Sequence, residues 1–162
     1  MIRPLEKTAD FAAVLEFYTD APDYWEEAEG FRPDRDKVSE FFDENLPNCD
    51  PDETRRLGLF IDERLSGIAD LFFGFPSKSD AYVGLMLLGP WARNKGLGQD
   101  FLRHIESVAR SKKSEKLYLA VMKTNPKGRA FWEREGFSTT GLSGVVTMGS
   151  RQQELHRLVK AL

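Results

Sequence analysis

Residues 87–106 read LLGPWARNKGLGQDFLRHIE. The apolar run AYVGLMLL, residues 81–88, ends here at Gly89-Pro90. Beyond the break, Arg93-Asn94-Lys95-Gly96-Leu97-Gly98 leads into Phe101, Leu102, Ile105, Val108 and Ala109, which recur at helical spacing. The stretch therefore predicts a strand, a tight loop and a helix over residues 98–110. Small residues at such a junction let backbone N–H groups converge, and the helix N-terminus adds partial positive charge. A nest of this kind binds an anion, typically phosphate, and Arg93 and Lys95 add formal charge to it. The loop is not a nucleotide P-loop, because GxxxxGK[ST] is absent, and it lacks the third glycine of the dinucleotide motif GxGxxG.

Downstream, residues 117–137 read LYLAVMKTNPKGRAFWEREGF. They predict a strand over 116–121, a turn at Asn125, and a short helix over 128–135 ended by Gly136 in C-cap fashion. Short strands are expected at 137–140 and 145–148. In the tail, Leu155, Leu158, Val159 and Leu162 fit a helix or a last strand, and both readings stay open. Upstream, 57–61 (LGLFI) and 68–75 (IADLFFGF) are strands joined by a hairpin, the second ended by Pro76. The nearly all-apolar run 81–88 suits a central strand covered on both faces. Before these come a helix over 10–18, capped by Thr8 or Asp10, a loop over 20–33 with one helical turn, and a helix over 38–46 stopped by Pro47. The order predicts an α/β (α+β) domain spanning residues 1–162, without linker or repeat.

The bulk numbers agree. A chain of 162 residues with 12 Phe and 3 Trp buries roughly 70% of its unfolded surface, enough for a real core. The net charge of −3 argues against a general nucleic-acid binder, which shows a basic face. A single cysteine, Cys49, cannot close an internal disulfide and fits a reducing compartment. The start MIRPLEKTAD has no signal-like apolar stretch, and no run approaches a membrane span. The expectation is a cytoplasmic protein with no membrane or nucleic-acid partner. His104, His156 and Cys49 stand apart, so no metal site is expected. No GxSxG occurs to mark a serine nucleophile.

Taken together, the two motif segments resemble the GNAT superfamily of acetyltransferases. The family's acetyl-CoA loop, [RQ]xxGxG/A, is matched by Arg93, Gly96 and Gly98. Its downstream signature is matched by Asn125, Ala130, Phe131, Gly136 and Phe137. The resemblance covers essentially the whole chain and implies a GNAT fold, a mixed sheet of about six to seven strands flanked by about four helices. It implies an N-acetyltransferase moving an acetyl group from acetyl-CoA to a primary amine by direct transfer, with no metal. In the family, the strand before the glycine loop bulges and presents backbone N–H groups to the thioester; here that implies Met86, Leu87 and Leu88, with Leu88 at the oxyanion position. Arg93, Asn94, Lys95, Gly96, Leu97, Gly98 and Gln99 would cradle the pyrophosphate. The strand 117–121 would splay from its neighbour, and Asn125 would bond the cofactor.

One position departs from the family. Trp132 stands where members carry a Tyr that serves as general acid, so its implied part is reduced to packing on the pantetheine arm. The general base is open between Asp70 and Asp80, with Tyr82 orienting the substrate. On the acceptor side, residues 20–53 hold thirteen acidic residues against Arg32, Arg35 and Lys37. Tyr18, Tyr24, Trp25 and Phe31 lie among them, a composition suited to a cationic amine. Family analogy implies a homodimer, with the tail from Leu155 contributing a strand. The alternative is a non-catalytic acyl-CoA-binding module, favoured by the missing Tyr at 132.

Overall fold

The computed structural model describes residues 1–162. Asp62 and Glu63 both adopt positive φ, 47° and 66°, as a two-residue turn matched to strand twist requires. That turn folds β2 (Arg55–Ile61) onto β3 (Arg64–Phe73). Strand β4 (Asp80–Leu88) continues antiparallel on β3, and the short β1 (Ile2–Pro4) lines the far edge of β2. Strand β5 (Lys116–Met122) runs parallel to β4, β7 (Arg151–Ala161) lies antiparallel on β5, and β6 (Ser138–Met148) closes the edge. The order is β1-β2-β3-β4-β5-β7-β6 in one seven-stranded mixed sheet.

Both faces are covered. On one, α4 (Leu97–Ser111) and α5 (Pro126–Arg134) pack over Leu57, Leu71, Val83, Leu117 and Leu158. Helix α4 buries Phe101, Leu102, Ile105 and Ala109 to 1% exposure or less. Each of the larger side chains contributes about 1.5–3 kcal/mol by leaving water. On the other face lie α1 (Lys7–Asp20), α2 (Asp23–Glu29) and α3 (Arg35–Asp43), whose Val14, Phe17, Trp25, Ala28, Val38 and Phe41 pack with Ile68. The α/β fold and the strand number match the expectation from sequence.

Several details differ. There are five α-helices, because residues 23–29 form the whole of α2 and not one turn within a loop. Helix α3 starts at a cap, Asp34, whose side chain accepts the Lys37 N–H, and it stops at Asp43, short of the expected 46. Helix α1 is capped at Glu6, and Asp10 holds that end from inside the first turn by accepting the Glu6 N–H at 2.7 Å. The strands expected at 137–140 and 145–148 are the ends of one strand, β6, with an irregularity between Thr139 and Ser143. The tail is strand β7. Leu155 and Leu158 are an odd number of residues apart and pack on opposite faces of the sheet, as a strand dictates. Both edges of β7 are used inside this chain, by β5 and β6, so the tail is not free to extend a partner's sheet. No helix is long and apolar enough to cross a membrane.

Candidate active site

The sheet opens in its middle. Parallel pairing of β4 with β5 runs from Asp80↔Lys116 to Val83↔Leu119 and stops there. On the other side of β4, Leu71 pairs with Val83 but Asp70 pairs with Leu85, which leaves Gly84 as an extra residue. This is a β-bulge, and a bulge bends its strand and raises the local twist. Glycine is required by space: a Cβ at residue 84 would lie 2.6 Å from Asp70 Oδ1 and 2.8 Å from Phe72 Cε2. Beyond the bulge, Gly89 N–H donates to Ser66 O. Antiparallel ladders alternate, so the N–H groups of Leu85 and Leu87 point to β3. Those of Met86 and Leu88 point to the side that β5 has vacated.

The glycine loop sits at the mouth of this opening. Asn94 and Gly96 take positive φ, 60° and 78°, and Gly96 is the N-cap of α4 with no side-chain cap. The first-turn N–H groups of Leu97, Gly98 and Gln99 therefore lack intrahelical partners. At Gly98 an added Cβ would come within 3.3 Å of Phe131 Cε1, so glycine lets α4 close on α5. Lys95 is exposed beside this terminus. Arg93 is committed elsewhere: its Nε donates to Leu88 O at 3.1 Å and its guanidinium binds Asp23 of α2 at 2.8 and 3.3 Å. That hydrogen bond holds the Asp23 carboxyl below its usual range. A wedge lined by freed backbone groups and ending at an uncapped helix N-terminus fits an extended molecule with an anionic end.

On the opposite face, beside the bulge, lies a cavity of about 360 Å³ floored by Asp70, Gly84 and Leu85. Tyr18, Tyr24 and Trp25 wall one side, and the β6–β7 tip, Thr147 to Gly149, closes another. Three of its polar atoms are buried without a partner: Tyr18 Oη, Trp25 Nε1 and Asp70 Oδ1. Burial raises the Asp70 pKa to about 7, opposed by the Arg56 charge and helped by Glu44, with the Leu85 and Gly84 amides pulling it down. Burial, then the Asp70 and Glu40 charges, raise the Tyr18 phenol. Tyr24 is raised to about 12, mainly by burial. Glu29, Glu40 and Glu44 also line the cavity, and burial followed by the Glu40 charge pushes Glu44 up. A second cavity, of about 290 Å³ at the β2–β3 turn, contains none of the unpartnered polar atoms.

The structure thus brings Asp70, Tyr24 and Trp25 together, and separately Met86, Leu88 and residues 96–99. It does not bring Asp80 or Tyr82 to the cavity. Asp80 begins β4, about 13 Å of strand before the bulge, where Oδ2 accepts from Ser77 N–H and Oγ–H at 3.2 and 2.6 Å. Tyr82 packs with Phe72 and Cys49, and Phe75 meets its ring at 5.3 Å. Leu87 directs its side chain into the α1–α3 core. Asn125 is the N-cap of α5, its Oδ1 accepting the Gly128 N–H at 3.0 Å. Trp132 is buried, edge-on between Phe131 and Phe137 at 5.0 and 5.4 Å. Phe31 is 56% exposed and lies outside the cavity. Gly84 was missed at the level of sequence, although a lone glycine inside an apolar strand run is a bulge signal. Glu29, Glu40, Glu44 and Lys37 were not separable there from the other charges of residues 20–53. No three His, Cys, Asp or Glu side chains converge as a metal site would require.

Comparison with known proteins gives the class. The sequence model of the acetyltransferase (GNAT) family matches residues 13–137, so the chain belongs to the GNAT acetyltransferase family. A search of curated protein sequences finds no match. Among solved structures the fold is similar to an acetyltransferase from Thermus thermophilus, at TM-score 0.78 and 22% identity, covering 100% of this chain and 96% of that one. It is also similar to a ribosomal-protein-alanine N-acetyltransferase from Brucella melitensis, at TM-score 0.75 and 22% identity, over 100% and 99% of the two chains. A spermidine N-acetyltransferase chimera from Vibrio cholerae and hSSAT superposes at TM-score 0.73 with 18% identity, over 99% and 95%.

Proposed function

We propose that the protein is an acetyl-CoA-dependent N-acetyltransferase in which Asp70 is the general base for a primary amine bound in the 360 Å³ cavity. The observation that carries this is the Asp70 carboxyl itself: 2% exposed, with Oδ1 unpartnered and a pKa near 7, directly beside the bulge. A base with a pKa close to the working pH combines a useful ionised fraction with driving force for proton transfer. Acetyl-CoA, when bound, supplies an activated thioester. The Met86 and Leu88 N–H groups are the donors this chain offers a carbonyl oxygen in the wedge, pre-aimed by the strand that carries them. Residues 96–99 and Lys95 would hold the pyrophosphate end. Asp70 Oδ1 accepts the proton that the ammonium must lose, and Tyr24 and Trp25 wall the side of the cavity against which the amine lies. With Trp132 buried as an apolar residue, a thiolate leaving group takes its proton from water. The assignment is tested by thiol release from acetyl-CoA across a panel of amines with the parent and Asp70→Asn. Amine-dependent release that Asp70→Asn abolishes supports the assignment; equal release by both proteins removes Asp70 from the chemistry.

A further inference from the structure

The acceptor cavity already contains an alkylammonium group, and it belongs to the protein. Lys37, on α3, reaches in so that Nζ donates to Glu29 Oε2 at 2.5 Å and to Glu40 Oε2 at 3.0 Å. The same nitrogen stands 4.2 Å from the centroid of the Trp25 ring. Its side chain is only 12% exposed. Two carboxylates and an aromatic face form a complete seat for one ammonium. Burial lowers the Lys37 pKa, but the Glu29 and Glu40 bonds outweigh it and the net shift is upward, so the lysine stays charged.

The remaining polar groups are unserved. Asp70 and Glu44 feel the charge of Arg56, which is not part of the cavity lining, and have no cation within the lining that bonds them; Tyr18 Oη and Trp25 Nε1 are buried without partners. The acidic lining is thus divided into one seat that the chain's own lysine fills, Glu29 with Glu40, and one that it does not, Asp70 with Glu44. A linear diamine needs both seats, one for the amine that reacts and one for the distal ammonium.

We infer that Lys37 is a specificity-determining residue, occupying the seat of a second ammonium and so restricting the acceptor to amines with a single positive charge. The inference rests on the cavity being the acceptor site. Removing the Lys37 charge leaves two carboxylates without their cation, Glu29 at 18% side-chain exposure and Glu40 at the open rim, and a distal ammonium then restores the pair.

The test is binding, measured by calorimetry without acetyl-CoA, so that it does not depend on turnover. The ligands are n-butylamine and 1,4-diaminobutane, and the proteins are the parent, Lys37→Met and Lys37→Arg. The parent is expected to bind n-butylamine at least as tightly as the diamine. Lys37→Met is expected to shift the affinity ratio toward the diamine tenfold or more, while Lys37→Arg keeps the parental ratio. A parent that already prefers the diamine, or a ratio unchanged in Lys37→Met, overturns the inference. Glu40→Gln in the Lys37→Met background, with one carboxylate of the pair removed, is expected to cancel most of the diamine gain, and a gain that persists overturns the inference too. Thiol release on the same panel reports separately on the transferase reading, which stands or falls on turnover.

Discussion

At the scale of single residues, the proposed base, Asp70, should set two pH profiles of opposite sense. As a base it works when ionised, so kcat/KM should rise with pH along a limb with an apparent pKa near 7. Asp70→Asn should lose that limb and lower kcat by about 10²–10⁴-fold, read by steady-state kinetics between pH 5 and 9. For stability the sign reverses. A carboxyl whose pKa rises from 3.8 to about 7 on folding binds its proton more tightly in the native state. Its contribution is present below the lower value and is lost as pH climbs to the upper one, bounded by about 4 kcal/mol. Asp70→Asn should therefore melt higher than the parent at pH 8, with the gain shrinking toward pH 4. A constant difference across that range would assign the effect to packing. Asn125 gives a second test at this scale. As an N-cap, Asn125→Ala should cost about 1 kcal/mol in denaturant unfolding while Asn125→Asp retains the cap; a cofactor contact would instead raise the KM for acetyl-CoA in both.

Elements were legible in the sequence to uneven degrees, for physical reasons. The glycine loop and α4 stood out because a nearly all-apolar run gives way to a 3.6-residue period across a Gly-Pro break, a signal carried wholly in local sequence. The tail did not, because Leu155, Leu158, Val159 and Leu162 satisfy a helical template while the β5 partners that make β7 a strand lie 33 to 45 positions earlier. Helix α2 escaped for a similar reason. It has seven residues and an αR proline as cap, and it is held from outside: Gln153 Nε2 donates to Glu27 O and Ala28 O, both at 3.0 Å, and Ser150 N–H to Glu29 O. Of the cavity, the acidic and aromatic composition was visible, but not which charges meet, since that depends on how α2 and α3 face each other over the sheet. Gln153→Ala strands two helix-end carbonyls and should cost about 1–3 kcal/mol. Because α2 carries Tyr24 and Trp25, it should also raise KM for the amine more than it lowers kcat. A loss confined to kcat would contradict this role of the clamp.

On the scale of the whole molecule, the sheet separates two chemistries. On one face α4 offers an open helix terminus; on the other, the α1–α3 layer offers carboxylates. The parent cavity holds Glu29, Glu40, Glu44 and Asp70 against Lys37, so its field attracts cations. Charges at the rim are screened over about 10 Å at 0.1 M salt. The KM for a cationic amine should therefore rise several-fold as ionic strength increases through that range, with kcat nearly constant. A KM independent of salt would mean that the rim charges do no steering.

The bulge at Gly84 has a consequence in the currency of chain length. Val83 and Leu85 would meet β3 in an unbroken ladder if residue 84 were absent, and the face each side chain occupies would be unchanged. The one residue in excess is what turns β4 away from β5. A chain with Gly84 deleted should fold, extend its parallel pairing along residues 120–122, and gain hydrogen-exchange protection at the Met86 and Leu88 amides while acetyl transfer disappears. In this sheet the capacity for catalysis is written as an insertion: a count of residues, independent of which side chain the extra position carries except that it be small.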